Sequence, residues 1–373
     1  MKTIVIAPNC FRGSATAAEL ASSISTVVST ALPESEIINI PLADGGDGTL
    51  SVIKSTRGGR NKTTFASTPS GVRRKTEWLT FDQSTAVIET ADICGFRDRN
   101  SKEVNPLLAS SKGVGEVIAA AVRKGAKTLI VGLGGTSVAD GGAGALHALG
   151  VRFYTATGTC VEPSLATLCS VTQVDLTPAR RFLQQTELQL LSDVNTPLSQ
   201  AVEMFGQQKG LLVREQAVAL QALRHLSQLL GANKAGSGHE KLFNEAWFGA
   251  GGGIGFGLAS IARTTAMSGA NELIRLADPE NKVLTADLTI TGEGRVDRST
   301  WHGKLPGTIA AERARTGKRT AVLAVNIDYT HPSSLIDYYP LGSERSDNSK
   351  MISGPALHEA LNRGTLRLIK NLF

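Results

Sequence analysis

Short apolar runs bounded by Gly, Pro or Asp recur along the chain, at residues 3–7, 37–41, 128–132, 288–291 and 320–325. Amphipathic stretches with helical spacing lie among them, at 15–32, 113–124, 305–315 and 355–368. Runs this short that are apolar on both faces read as buried strands. Their alternation with helices is the pattern of a wound parallel sheet, so the class expected is α/β.

Two regions break the alternation. In residues 62–91, TTFAST, RKTEWLT and TAVIETA read as successive antiparallel strands, and residues 151–174 read as a hairpin with a loop. A chain of 373 residues is also longer than most single cores grow. The expectation is therefore two domains. Residues 1–62 with 280–373 form a flavodoxin-like parallel-sheet domain, and residues 63–279 form an inserted mixed α/β domain. Ligands are expected in the cleft between them. The segment GAGGGIGFG, residues 249–257, reads as a Gly-rich turn entering a helix.

Composition removes several function classes. The net charge of +6 is spread along the chain, and aromatics are only 5%. The basic stripe with interleaved aromatics that nucleic-acid binding needs is missing, so no nucleic-acid partner is expected. Cys10, Cys94, Cys160 and Cys169 show no CxxC spacing, which suits a reduced, cytoplasmic setting without zinc. No stretch approaches the run of about 18 apolar residues that a membrane span requires.

Four segments set carboxylates beside glycines at strand-to-helix junctions, where open α/β sheets bind ligands. In ADGGDGT, Asp44 and Asp47 flank Gly45 and Gly46. Such glycines let the backbone turn its N–H groups toward an anion, and paired carboxylates can orient a metal ion or a hydroxyl; a plain Asx-turn would look the same. In GLGGTSVADGGAG, residues 132–144, Gly134, Gly135, Thr136 and Asp140 make a cradle of donors suited to phosphate, although Asp140 could equally cap a helix.

The third segment, TITGEGRVDRSTWHGKLP at residues 289–306, gathers Glu293, Arg295, Asp297, His302 and Lys304. Phosphoryl transfer uses that mixture: cations for the moving group, carboxylates for Mg²⁺ and backbone N–H groups for the oxygens. A lone His302 is more often a hydrogen-bonded structural histidine. In the fourth, LLSDVNTPL, Asp193 closes an apolar strand and could take the proton of a substrate hydroxyl, although Asp before a turn with Pro is common. There is no GxxxxGK[ST] loop and, despite 39 glycines, no GxGxxG; GxSxG and HExxH are missing too. Whatever binds here uses another architecture.

The order of these motifs resembles that of the bacterial glycerate kinase family over nearly the whole chain. It runs from IAPNCFRGS through ADGGDGT, GGTSVADGG, SDVNTPL, GQQKG and GAGGGIGFG to TGEGRVDRSTWHGK. The resemblance implies an ATP-dependent kinase of D-glycerate giving 2-phosphoglycerate, with Mg²⁺, as a monomer or homodimer whose second domain swivels. It matches Asp44, Asp47, Asp140, Asp193, Glu293, Asp297, His302 and Lys304 to family motif positions. The roles inferred are Asp193 as base, Asp44 with Asp297 as Mg²⁺ or substrate ligands, and Arg12, Arg295 and Lys304 as anion binders. The chain departs from the family's APDSFKGS at Asn9, Cys10 and Arg12, and from its other motifs at Ala139, Asn195, Thr196 and Gln207. Val325, Asn326 and Ile327 replace a Gly-Ser stretch. Such changes leave room for another small hydroxy acid as substrate, or for a catalytically weak homologue that binds a nucleotide or an acid metabolite.

Overall fold

The computed structural model describes residues 1–82, 84–96, 104–231, 238–342 and 353–372. In chain order the strands are β1 Thr3–Ile6, β2 Glu36–Asn39, β3 Arg60–Ser67, β4 Arg73–Thr80, β5 Thr85–Glu89, β6 Thr128–Gly132 and β7 Arg152–Thr155. They continue as β8 Cys160–Val161, β9 Val171–Asp175, β10 Glu187–Ser192, β11 Arg263–Ser268, β12 Leu288–Val296, β13 Arg319–Ile327 and β14 Ile336–Pro340. The chain forms two compact units, Met1–Thr56 with Ala270–Phe373, and Arg57–Gly269.

The first unit is built on a five-stranded sheet in the order β2-β1-β12-β13-β14, parallel throughout. Counted within the unit, that is the 2-1-3-4-5 order of flavodoxin-like folds, which places the switch point between β1 and β12. Its central strands β1, β12 and β13 are largely buried because both faces are covered. Ile4 and Ile6 pack with Leu20, Ile24 and Val28 of the helix Ala17–Ala31, while Val5 between them packs with Leu42, Leu305 and Ile309. Thr16 and Glu19 close a capping box at the start of that helix.

The expected strand at 288–291 continues to Val296, because pairing with β13 persists as far as Val296 opposite Ile327. Gly292 permits this. A Cβ there would lie 2.3 Å from the carbonyl oxygen of Leu323, so the close strand approach requires glycine. At the opposite end of the unit Arg313 is wholly buried in the helix Leu305–Arg315. Its guanidinium donates to the carbonyl oxygens of Val283, Leu284, Ala286 and Arg319.

The second unit carries a six-stranded sheet in the order β11-β10-β6-β5-β4-β3. Pairing is antiparallel from β3 through β5, as the successive strands of residues 62–91 suggest, and parallel from β5 through β11. The segment read as one hairpin at 151–174 becomes a separate three-stranded antiparallel sheet, β8-β7-β9. Strand β11 has no counterpart in the sequence reading. It is a half-exposed edge strand with the polar sequence RTTAMS, so no apolar run marks it. Among the described residues no helix is long and apolar enough to cross a membrane.

Candidate active site

In the first unit the candidate side chains gather where β1, β2 and β12 end, the carboxyl edge around the switch point. Asp44 is buried. Its Oδ2 accepts from Asn9 Nδ2 at 2.9 Å and from the Leu305 amide at 3.4 Å, and its Oδ1 accepts from the Gly46 amide at 3.3 Å. Three segments distant in sequence are thus tied by one carboxylate. Gly45 and Gly48 take φ of 97° and 90°, a region in which a side chain would be strained, so the turn after β2 needs them. Arg12 Nε donates to Asp47 Oδ2 at 2.7 Å, and Cys10 Sγ donates to the Asp47 carbonyl at 3.3 Å.

Glu293 lies on β12 and is 6% exposed. Its Oε1 accepts from Thr300 Oγ1 at 2.5 Å, and its Oε2 stands 3.6 Å from Lys304 Nζ. Burial pushes the Glu293 carboxyl above its ordinary range, outweighing Lys304 and Thr300, and nearby Asp297 pushes in the same direction. Asp297 behaves oppositely. Partial burial raises it, but Lys304, the Ser299 hydrogen bonds and Arg295 together hold it below the usual carboxylate range. Its Oδ1 accepts from the Ser299 amide and hydroxyl at 2.7 and 2.5 Å, capping the short 3-10 helix Arg298–His302. Two neighbouring carboxyls with opposed protonation tendencies are what acid–base and cation-binding sites share. Arg295 pairs with Asp328 on the exposed side of β12, and His302 is also exposed.

Among the described residues no three His, Cys, Asp or Glu side chains cluster as a metal cage. Mg²⁺ usually takes one or two carboxylates and completes its shell with water and substrate phosphates, so such a cage is not required. Asp297, ionised and with one oxygen engaged by Ser299, fits that donor set. Asp44 fits less well, because N–H donors already occupy both of its oxygens.

In the second unit Gly134, Gly135 and Thr136 follow β6, and Asp193 follows the neighbouring β10. The parallel register pairs Leu191 with Gly132 and so sets Asp193 beside this loop. Asp140 is fully buried and held by four donors: the Ser111 amide and hydroxyl at 2.8 Å each, and the Gly142 and Gly144 amides at 3.2 and 3.1 Å. Burial raises its pKa against these bonds. That arrangement shapes the loop, and it leaves Asp140 little to offer a ligand. The Gly-rich segment packs closely on this loop: Gly251, Gly252 and Gly253 all have positive φ, and a Cβ on Gly252 would lie 2.0 Å from the Val138 carbonyl oxygen.

Sequence reasoning passes over Lys209. It is buried, and its Nζ donates to Thr136 O at 2.7 Å and to Thr136 Oγ1 at 3.0 Å. The only signal for it is a lysine set between two glycines in GQQKG.

A model of the Glycerate kinase family matches residues 4–351. The chain is 32% identical over 322 residues to a glycerate kinase of Bacillus cereus, covering 84% of this chain and 82% of that one. It is 30% identical over 311 residues to a glycerate 2-kinase of Escherichia coli, covering 82% and 81%. A crystal structure of a putative glycerate kinase 2 from Salmonella typhimurium LT2 superposes with a TM-score of 0.74 at 27% identity, over 100% of this chain and 97% of that one.

Proposed function

The chain belongs to the glycerate kinase family, and from that premise we propose that it transfers the terminal phosphoryl group of ATP to D-glycerate, giving 2-phosphoglycerate. The observation that carries the reading is the family match across residues 4–351, in a chain whose carboxylates and cations gather at the carboxyl ends of parallel strands. A cytoplasmic setting, where ATP is at hand, belongs to the same proposal.

In this reading Asp193 accepts the proton of the substrate hydroxyl as the oxygen attacks phosphorus. The amides of Gly45, Gly134 and Gly135 and the Thr136 hydroxyl serve phosphoryl or carboxylate oxygens, with the Gly46 amide joining them only by leaving Asp44. Lys304 holds negative charge at the edge of β12, and Glu293 sets its position. Arg12, fixed by Asp47, meets an anionic group, and Arg295 and His302 stand further out on the exposed face. Asp297 would hold Mg²⁺, with Asp44 joining it only by giving up a hydrogen bond. The ion, when bound, neutralises phosphate charge.

A second substrate has one observation in its favour. Asn9 and Arg12 are tied to Asp44 and Asp47, so the surroundings of both carboxylates differ from those the family's Asp and Lys would give. Another small hydroxy acid could be preferred for that reason. The test is a coupled ADP-release assay with ATP, Mg²⁺ and D-glycerate, with L-glycerate and tartronate alongside and the product position read by NMR. Turnover on D-glycerate with a 2-phosphate product supports the reading, and turnover only on another acid moves the substrate. No turnover from a folded, ATP-binding protein would sink it.

A further inference from the structure

Lys209 is 8% exposed, and its position is set by a locked turn rather than a flexible arm. A Cβ on Gly206 would lie 2.4 Å from the Val202 carbonyl oxygen, and Gly210 sits at φ 83°. The turn follows the helix Leu198–Phe205, which begins shortly after Asp193. It brings the ammonium to Thr136, at the carboxyl end of β6.

An ammonium carries donors and no lone pair. In the Lys209–Thr136 pair the hydroxyl oxygen must therefore accept, and the Thr136 O–H proton has to point elsewhere. Thr136 is 3% exposed, and among the described residues that proton has no acceptor. A buried hydroxyl donor without an acceptor, beside a buried cation on a glycine-rich loop, is the complement of an anionic oxygen.

We propose that Lys209 and Thr136 form an oxyanion site, in which the Thr136 hydroxyl donates to an oxygen of a phosphoryl or carboxylate group and Lys209 offsets its charge. The identity of that group, an ATP phosphate or the carboxylate of the acid, rests on the kinase reading above. The pairing itself does not, because it concerns anion binding alone.

The experiment is calorimetric titration of ATP, D-glycerate and inorganic pyrophosphate into wild type, Lys209→Met, Thr136→Val and Thr136→Ser, with the Tm of each. Lys209→Met and Thr136→Val should each weaken one ligand class by about 10- to 100-fold. Thr136→Ser, which keeps the hydroxyl, should restore affinity to within about threefold, a rescue that a packing role does not give. A loss confined to ATP and pyrophosphate assigns the site to phosphoryl oxygens, and one confined to D-glycerate assigns it to the carboxylate. Wild-type affinity for all three ligands in both Lys209→Met and Thr136→Val overturns the proposal. So does a loss that Thr136→Ser fails to rescue and that only follows a falling Tm. The two readings fail separately. A wild type that binds pyrophosphate through Lys209 yet phosphorylates no hydroxy acid removes the kinase, and an active kinase whose variants match it removes the oxyanion site.

Discussion

Asn9 donates its side-chain amide to the buried carboxylate of Asp44 at 2.9 Å, so the loop after β1 meets the loop after β2 through a neutral donor and a charged acceptor. An aspartate at position 9, the residue the family pattern carries, would replace that donor with a second acceptor. Asn9→Asp should therefore lower stability at neutral pH by about 1–3 kcal/mol, the cost of an unpaired buried charge, and by less in acid, where the pair shares a proton. Denaturant melts at two pH values check this. Equal destabilisation at both would mean that charge is not the cause.

Glu293 supplies a pH test of opposite sign. Its folded-state pKa is raised above the ordinary value of 4.5, chiefly by burial. The stability tied to its protonated form is fully present below that value and is lost as pH rises through the folded pKa. Glu293→Gln keeps the neutral form at every pH. The Tm of the variant relative to wild type should thus climb from about pH 4 to pH 8. A flat difference across that range would show that the carboxyl is ionised as readily in the folded protein as in the unfolded chain.

Arg313 makes a structural prediction away from the chemistry. Burial lowers its guanidinium to about 10, yet it still serves four carbonyl oxygens with its planar fork. Arg313→Met would take the guanidinium from the carbonyls of Leu284, Ala286 and Arg319 and leave Val283 O only the Thr289 hydroxyl, so it should cost about 3–5 kcal/mol, and Arg313→Lys, lacking the fork, should recover only part of it. Urea unfolding of the three proteins measures both. A loss below about 1 kcal/mol in the Met variant would mean that water replaces the guanidinium.

The legible parts of this chain are those where burial writes itself into composition. Strands β1, β6, β12 and β13 are covered on both faces and so appear as apolar runs; the helix Leu305–Arg315 shows its full length because Pro306 marks its first turn. Strand β11 is hidden because an edge strand half open to solvent needs no such run. The extension of β12 to Val296 is hidden because Gly292, Glu293 and Gly294 look like a loop, while the close approach to Leu323 that makes them strand is visible only in three dimensions. At the site the sequence shows which residues can carry charge, but neither the burial that separates Glu293 from Asp297 nor the turn that brings Lys209 to Thr136. Asp140 illustrates the converse: a conspicuous carboxylate in a glycine cradle is spent on four donors, two from Ser111 and two from its own loop.

Asp193 stands where β10 ends, half-buried, beside the loop that follows β6. In the proposed role Asp193 would remove the hydroxyl proton as the new oxygen–phosphorus bond forms, and an amide in its place could not. Asp193→Asn should leave the Tm and ATP affinity close to wild type and reduce kcat by about 10²- to 10⁴-fold. Because the loss lies in a proton transfer made only in the transition state, kcat and kcat/KM should fall together while KM for the acid holds. Steady-state kinetics on the purified variant decide it. A kcat within a few-fold of wild type would remove Asp193 as the base, and a rise in KM alone would recast it as a binding group for the acid's hydroxyls.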